Sequence, residues 1–240
     1  RLWHAPEAMP RTYAPDNGPV DYTWDGKTLK LVQPVEASTG IQKEMGLSLD
    51  PNRDRVEVLH RLINHNLWEV KLAPWALTVM AKGGRAIFPQ EAYRRHEEYL
   101  LPARALVLWH YTVMTDPRWK WGEKYIQLRQ DPSATTPQKV GIMNKPGWAA
   151  YALNGQVFIK RFAFLPEAVY PDFGCNTETF TNADMLEIES LGPMTALAPE
   201  GGSMVHLERW YLFRGEVGHS EAEIERVLMP LVRETELIGP

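Results

Sequence analysis

Cysteine and long apolar segments are scarce in this 240-residue chain. Its one cysteine, Cys175, excludes an internal disulfide framework and a cysteine-rich metal site. The longest apolar runs, such as residues 105–109, are far too short to cross a bilayer. A basic excess is missing as well, since the formal net charge is −4. We therefore expect neither a nucleic-acid partner nor an anionic membrane partner.

Signatures of nucleotide, metal and serine-hydrolase chemistry are also missing. No phosphate loop, dinucleotide fingerprint or zinc spacing occurs, and the G-x-S-x-G pattern is absent. We therefore expect no cofactor and no metal. No signal-peptide pattern follows Arg1, so we expect a processed or truncated start, and the sequence leaves export undecided.

What the chain does contain is a succession of β-patterned segments separated by turn residues. Apolar residues alternate with polar ones or form short runs, which predicts strands. These strands are predicted over residues 27–33, 55–64, 72–80, 105–114, 148–153, 156–164, 185–191 and 206–213. The runs at 72–80 and 105–114 are apolar on both faces, so we expect them to be buried between layers.

Local patterns also predict one hairpin and two helices. Asn154-Gly155 between two β-patterned runs predicts a two-residue hairpin turn, because both positions must take positive φ. One helix is predicted over residues 89–101 and a second over 220–228, which opens with a capping box at Ser220. We expect Pro230 to end or kink the second helix.

No internal repeat, low-complexity tract or linker divides the sequence. Its length is within the range of single all-β domains. We therefore predict one all-β domain over residues 1–240, an antiparallel β-sandwich with a peripheral C-terminal helix.

Two glutamates on one late strand are the first candidates for chemistry. Glu187 and Glu189 are two residues apart, so they share one face of the strand, while Leu186 and Ile188 face the core. Because two nearby carboxylates repel, burial raises one pKa towards the neutral range that acid–base catalysis needs. We expect both to point into a cleft on the larger sheet. The alternative is an exposed sheet face with solvated charge.

Other polar residues interrupt apolar strand patterns. His206 and Glu208 share one strand face with Trp210, and His60 and His110 each lie in a β-patterned segment. A histidine in such a place is a candidate acid or base, and it is also typical of a hydrogen-bonded core position.

Three further features are ambiguous. Glu178 is a candidate binding residue or a residue that stabilises a turn. Lys160 and Arg161 follow the predicted hairpin and must face opposite sides of their strand. Nine tryptophans and nine tyrosines fit a sugar site, where rings pack on pyranose faces, and equally the core of a large β-sandwich.

Residues 1–7, 72–80 and 185–193 resemble a family of uncharacterised bacterial proteins in the galactose mutarotase-like superfamily. They read Arg-Leu-Trp-His-Ala-Pro-Glu, Leu-Ala-Pro-Trp-Ala-Leu-Thr-Val-Met and Met-Leu-Glu-Ile-Glu-Ser-Leu-Gly-Pro. The resemblance covers most of the chain and implies the β-sandwich fold of that superfamily. In such proteins a set of opening strands precedes the segment like 1–7, so we expect those strands to be missing here.

The resemblance also implies where a catalytic base lies. In aldose 1-epimerases a late strand ends in a Leu-Glu step whose glutamate is the base, and a Leu-x-Pro-Gly stretch and an aromatic strand follow. Residues 186–189, 197–201 and 206–213 resemble that order. This points to Glu189 as the base, with Glu187 as second choice.

One departure from aldose 1-epimerases concerns the general acid. Their acid histidine has no counterpart in residues 72–80, where Trp75 stands. His60 or His110 would have to replace it. The side chains expected to bind the substrate are Arg1, His4, Trp75, Glu178, Arg161, His206, Glu208 and Trp210.

Three functions follow as hypotheses. The first is a carbohydrate-binding protein with epimerase-type acid–base chemistry at an anomeric carbon, through Glu189 and a histidine. The second is a glycoside hydrolase or polysaccharide lyase, in which Glu189 is paired with Glu178 or Glu208. The third is a non-catalytic carbohydrate-binding module. In each case the expected partner is a small sugar or an oligosaccharide.

Overall fold

The computed structural model describes residues 1–239 and arranges their strands in two antiparallel sheets. The smaller sheet has seven strands, in the order β1-β6-β15-β14-β11-β8, with β16 beside β6. Its strands are β1 (Leu2–Ala5), β6 (Val70–Met80), β8 (Leu106–Leu108), β11 (Gln138–Ile142), β14 (Thr177–Thr181), β15 (Leu186–Leu191) and β16 (Thr195–Leu197).

The larger sheet has ten strands, in the order β2-β3-β4-β5-β17-β13-β12-β7-β10-β9. Its strands are β2 (Asp21–Trp24), β3 (Thr28–Val32), β4 (Ile41–Leu49), β5 (Arg55–Asn64), β7 (Arg85–Pro89), β9 (Trp119–Trp121), β10 (Tyr125–Arg129), β12 (Trp148–Leu153), β13 (Gln156–Phe162) and β17 (Ser203–Arg214).

The main core lies between the two sheets. Leu186 and Ile188 of the seven-stranded sheet pack there with residues of the ten-stranded sheet such as Phe88 and Leu128. Because successive side chains of a strand point to opposite faces, Glu187 and Glu189 face away from this core, as the sequence predicts.

A C-terminal helical segment covers the other face of the ten-stranded sheet. It comprises helix Glu221–Glu223, a π turn at Ile224–Leu228 and helix Met229–Glu234, and it packs through Ile224, Leu228 and Val232. The predicted capping box at Ser220 is present. Pro230 does not end the helical segment, which continues to Glu234 after the π turn that directly precedes Met229 and Pro230. Short turns at Arg11–Tyr13 and Pro171–Gly174 complete the helical segments.

The Asn154-Gly155 hairpin is confirmed. Leu153 lies opposite Gln156, and both turn residues have positive φ, 48° for Asn154 and 70° for Gly155. The turn chemistry is local, so the sequence alone is sufficient to predict it.

Two other predictions are wrong. Residues 90–101 are irregular apart from one turn at 96–98 and form no helix. Leu100 and Leu101 are exposed, so no apolar face holds a helix against the sheet. The strand predicted over 105–114 ends at Leu108 and lies at a sheet edge. It ends there because the Thr112 hydroxyl accepts a hydrogen bond from the Trp109 N–H, which stabilises a turn instead.

In residues 1–239, none of the helices has the length and apolar character that crossing a membrane requires.

Candidate functional site

A cleft of about 680 Å³ opens on the outer face of the seven-stranded sheet. The predicted position on the larger sheet is therefore wrong, because the strand that carries Glu187 pairs with β14 and β6 of the smaller one. Glu187 is half-buried and lines the cleft. Glu189 is fully buried beneath it.

One wall of the cleft is aromatic. Trp3 of β1 lies opposite Trp75 of β6 in the sheet, and their rings meet edge to face at 5.4 Å. Tyr13 packs on Trp3 in the same way at 5.0 Å. Tyr111 and Phe180 also line the cleft. Rings that present both faces and edges in this manner suit the apolar faces of a ring-shaped, hydroxylated ligand.

The cationic residues of the cleft are Arg1 and Lys139. The Arg1 guanidinium lies 5.4 Å from the centroid of the Trp3 ring, so the predicted ligand residue Arg1 is at the cleft. Lys139 of β11 lies on the floor and is 4% exposed. Its ammonium nitrogen is 2.7 Å from Glu178 Oε2 and 3.6 Å from Glu189 Oε2.

Three acidic side chains that line the cleft have raised pKa values. Burial, together with the charge of Glu189, raises the pKa of Glu187 to about 7, while Lys139 opposes the rise. Burial raises the pKa of Glu7 as well. Burial also raises the pKa of the Tyr111 hydroxyl to about 12, so that it keeps its proton at neutral pH. Glu187 is therefore a cleft residue whose charge changes near neutral pH.

The predicted site residues His60, His206 and Glu208 are placed elsewhere, in a buried polar network between the two sheets. His60 Nε2 is 3.2 Å from Glu208 Oε2, and His206 Nε2 is 2.7 Å from the Ser190 hydroxyl. Burial lowers the pKa of His206 to about 3, so this histidine is neutral at physiological pH. Trp210 donates its indole N–H to Glu208 and belongs to the same network.

Three further predicted residues also lie away from the cleft. His4 is buried between Glu36 and the Arg11 guanidinium. Arg161 faces the C-terminal helical segment. His110 is exposed in the turn that follows β8. Among residues 1–239, no histidine lines the cleft, so neither His60 nor His110 stands where an acid partner of Glu187 or Glu189 is needed.

Sequence reasoning did not find Lys139, Trp3, Tyr13 or Tyr111. Lys139 lies in the short segment Gln138–Ile142, and a charged residue inside this β pattern was the available signal. Its partner Glu178 is far away in the chain, and only the pairing of β11 with β14 brings the two together. The contact thus depends on strand register, which a single sequence does not specify.

Solved structures share this architecture at low sequence identity. A candidate aldose 1-epimerase from Escherichia coli K12 aligns over 82% of this chain and 69% of its own, with 13% identity and a TM-score of 0.51. A TPR-domain containing protein from Parabacteroides distasonis aligns over 90% of this chain and 38% of its own, with 12% identity and a TM-score of 0.55. A galactose mutarotase-like protein from Lactobacillus casei aligns over 81% of this chain and 73% of its own, with 10% identity and a TM-score of 0.49.

The first two likenesses show the fold alone: the chain is an antiparallel β-sandwich, as the sequence predicts, with the architecture of the candidate aldose 1-epimerase. No protein-family model matches the chain, and no curated protein is significantly similar to it.

Proposed function

We propose that the protein binds a carbohydrate in the cleft of the seven-stranded sheet and that Glu187 accepts and returns the proton of its anomeric hydroxyl. The observation that carries this proposal is a carboxyl group with a pKa of about 7, half-buried in a cleft whose wall is aromatic. The fold supports the proposal by analogy, since the Escherichia coli structure of the same architecture is described as a candidate aldose 1-epimerase.

The proposed chemistry is anomerisation. Ionised Glu187 takes the proton of the anomeric hydroxyl, the bond between the anomeric carbon and the ring oxygen breaks, and the ring oxygen receives a proton. Rotation of the resulting aldehyde and the reverse steps give the other anomer. Tyr111 keeps its proton at neutral pH and lines the cleft, so we propose its hydroxyl as the group that gives this proton to the ring oxygen and takes it back when the ring closes.

We assign the base to Glu187 rather than to Glu189, the first choice from the sequence. Glu189 is fully buried, and its Oε2 accepts the Trp75 indole N–H at 2.6 Å. A carboxylate held under a ring by its own hydrogen bond cannot reach a sugar hydroxyl without moving that ring. Glu187, on the same strand face, is the one that borders the cleft.

A hydrolase or lyase is less well supported. Hydrolysis needs two carboxyl groups on either side of the scissile bond. Glu178 and Glu189 lie opposite each other on paired strands and both contact Lys139, so they form one buried cluster rather than two flanking groups. Glu208 lies between the sheets. A non-catalytic binding module would use the same cleft, and the test below separates it from an epimerase.

Binding is tested with D-galactose and D-glucose by calorimetry and by ligand-observed NMR. We expect Trp3→Ala to weaken sugar affinity about tenfold or more, because it removes an aromatic face of the cleft. The matched control is Trp24→Ala, since Trp24 is an exposed tryptophan of β2 outside the cleft. Equal affinity of both variants with the wild type, or no sugar binding at all, would contradict the proposal.

Catalysis is tested by polarimetry on freshly dissolved sugar. We expect Glu187→Gln to lower the anomerisation rate by roughly 10²–10⁴-fold while sugar affinity changes only a few-fold, because the amide keeps the shape but takes no proton. If the wild-type protein binds sugar without accelerating anomerisation, the epimerase proposal is wrong and the non-catalytic binding module remains.

A further inference from the structure

Lys139 has an unusual set of neighbours for a lysine. Besides its contacts with Glu178 and Glu189, its ammonium nitrogen lies 4.6 Å from the ring centroid of Trp75 and 4.6 Å from that of Trp109. Both distances are within the range of a cation–π interaction, which is strongest where water is excluded. The ammonium group is thus held by two rings and two carboxyl groups, and it has little freedom to move.

Trp75 depends on the same cluster. Its indole N–H donates to Glu189 Oε2, the oxygen that Lys139 also approaches. Lys139, Trp75 and Glu189 therefore contact one another pairwise. The Trp75 ring in turn lines the cleft and supports Trp3, so its orientation sets the shape of the aromatic wall.

The charge balance of the cluster requires the lysine. Glu178 and Glu189 lie side by side on paired strands, and burying two carboxylates without compensation costs several kcal/mol or forces protonation. Among residues 1–239, both side-chain oxygens of Glu178 and Oε1 of Glu189 are buried without a hydrogen-bond partner, so Glu178 depends on its ion pair with Lys139. Burial would lower the pKa of Lys139, but the charges of Glu189 and Glu178 outweigh it and raise that pKa above the ordinary value. The ammonium group therefore stays charged at neutral pH.

We infer that Lys139 is the positioning residue of this cleft, which fixes Glu189 and, through it, the Trp75 ring in the orientation that a carbohydrate ligand meets. That the ligand is a carbohydrate rests on the proposed function, whereas the positioning of Trp75 by Lys139 does not. Lys139 acts through its neighbours, so it is a positioning residue rather than a catalytic one. A preformed wall lowers the entropy lost when a ligand binds, which is why its loss should weaken affinity.

The test uses the indole N–H resonance of Trp75 in the full chain, labelled with ¹⁵N-tryptophan and assigned with Trp75→Phe. In the wild type we expect this proton to resonate downfield and to exchange slowly with solvent, because it donates to a buried carboxylate. In Lys139→Met we expect the resonance to move and its exchange to be about tenfold faster or more. Affinity for D-galactose or D-glucose should fall about tenfold.

Two variants serve as controls. Lys43→Met removes an equally buried lysine that also contacts two carboxylates, Asp16 and Glu36, and it should leave the Trp75 signal and the sugar affinity unchanged. Lys139→Arg keeps the positive charge and should retain the protected indole signal. A merely structural role of Lys139 would lower stability in the same way as Lys43→Met and would not move the Trp75 resonance selectively.

The possible results are distinct. If Lys139→Met keeps the wild-type indole signal and sugar affinity, the inference is wrong. If Lys139→Met does not fold, the wild type still decides: the Lys139 ε-methylene protons must be shifted upfield by the two rings, and an unshifted signal overturns the inference. If the wild type binds no carbohydrate, the proposed function fails, while the indole signal still tests the positioning of Trp75.

Discussion

Glu187 shows how one residue can make function and stability compete. Its side chain lies on a strand face beside Glu189 and is half removed from water, so its pKa of about 7 is well above the ordinary value of 4.5. The folded protein therefore binds this proton more tightly than the unfolded chain does. Protonation favours folding, and ionisation of the carboxyl opposes it.

The pH dependence of this effect gives a prediction for Glu187→Gln. Between the unfolded pKa and the folded pKa, the contribution of Glu187 to the free energy of unfolding falls as pH rises, and above about pH 7 the full penalty is present. We expect Glu187→Gln to raise the free energy of unfolding near pH 8 by an amount on the order of 1–3 kcal/mol, and the melting temperature with it. Near pH 5 it should change both little.

Thermal unfolding at both pH values checks this. Glu98→Gln is the control, because Glu98 forms an exposed ion pair with Arg95 and should change stability little at either pH. A Glu187→Gln variant that is destabilised near pH 8 would show that the carboxylate is stabilised in the cleft rather than strained there.

At the scale of elements, the C-terminal helical segment explains Arg161. Arg161 Nε donates to the Thr235 hydroxyl at 2.6 Å, and a second guanidinium nitrogen donates to the Val232 carbonyl at 2.7 Å. These contacts join β13 to the last turn of the helix, where carbonyl groups lack helical partners. The helix lies on the ten-stranded sheet, on the opposite side of the sandwich from the cleft.

We therefore predict that Arg161→Met destabilises the protein without affecting ligand binding. The loss of two buried hydrogen bonds from a charged donor should lower the free energy of unfolding by about 1–3 kcal/mol. Sugar affinity should stay within about twofold of the wild type. Denaturant unfolding and calorimetry measure the two quantities, with Arg129→Met as a control at an exposed ion pair. Lost affinity with unchanged stability would instead support the ligand role that the sequence predicts for Arg161.

The elements that sequence reasoning predicts correctly are those whose signal is local. The Asn154-Gly155 turn, the alternation of residues 55–64 and the capping box at Ser220 each depend on neighbours in the chain. The errors at residues 89–101 and 105–114 occur where tertiary packing or a side-chain hydrogen bond decides. The periodicity of apolar residues alone predicts neither tertiary packing nor a side-chain hydrogen bond.

The candidate site is predictable only in part for the same reason. The spacing of Glu187 and Glu189 correctly places them on one outward face, because alternation is a local property. It does not specify which sheet the strand joins, nor that Lys139 lies next to Glu189. It also cannot separate polar residues that face the cleft from those between the sheets, such as His206, because both kinds interrupt an apolar pattern.

At the scale of the whole molecule, one buried lysine of the ten-stranded sheet joins the two sheets. Lys160 of β13 pairs with Glu208 of β17, and both are fully buried. The Lys160 ammonium also donates to the carbonyl oxygens of Ala76 and Ile188, at 3.3 Å and 3.1 Å. These carbonyls belong to β6 and β15, the strands that carry the cleft residues, so the ten-stranded sheet holds the floor of the cleft from behind.

The consequence is a prediction for Lys160→Met. Removing Lys160 leaves the buried charge of Glu208 without its cationic partner, which should cost about 3–5 kcal/mol of unfolding free energy near pH 8. Burial raises the pKa of Glu208, but Lys160 and His60 outweigh it and hold that pKa well below the ordinary value, so the wild-type contribution is fully present above about pH 4.5 and is lost only at lower pH. Without Lys160, burial raises the pKa of Glu208, and protonation relieves the variant as pH falls.

The loss of unfolding free energy in Lys160→Met should therefore be smaller near pH 5 than near pH 8. The double variant Lys160→Met with Glu208→Gln should recover part of that loss at the higher pH. Chemical denaturation at the two pH values measures both effects. A deficit that is equal at both pH values and unchanged in the double variant would show that lost packing, and not the unpaired charge of Glu208, sets the cost.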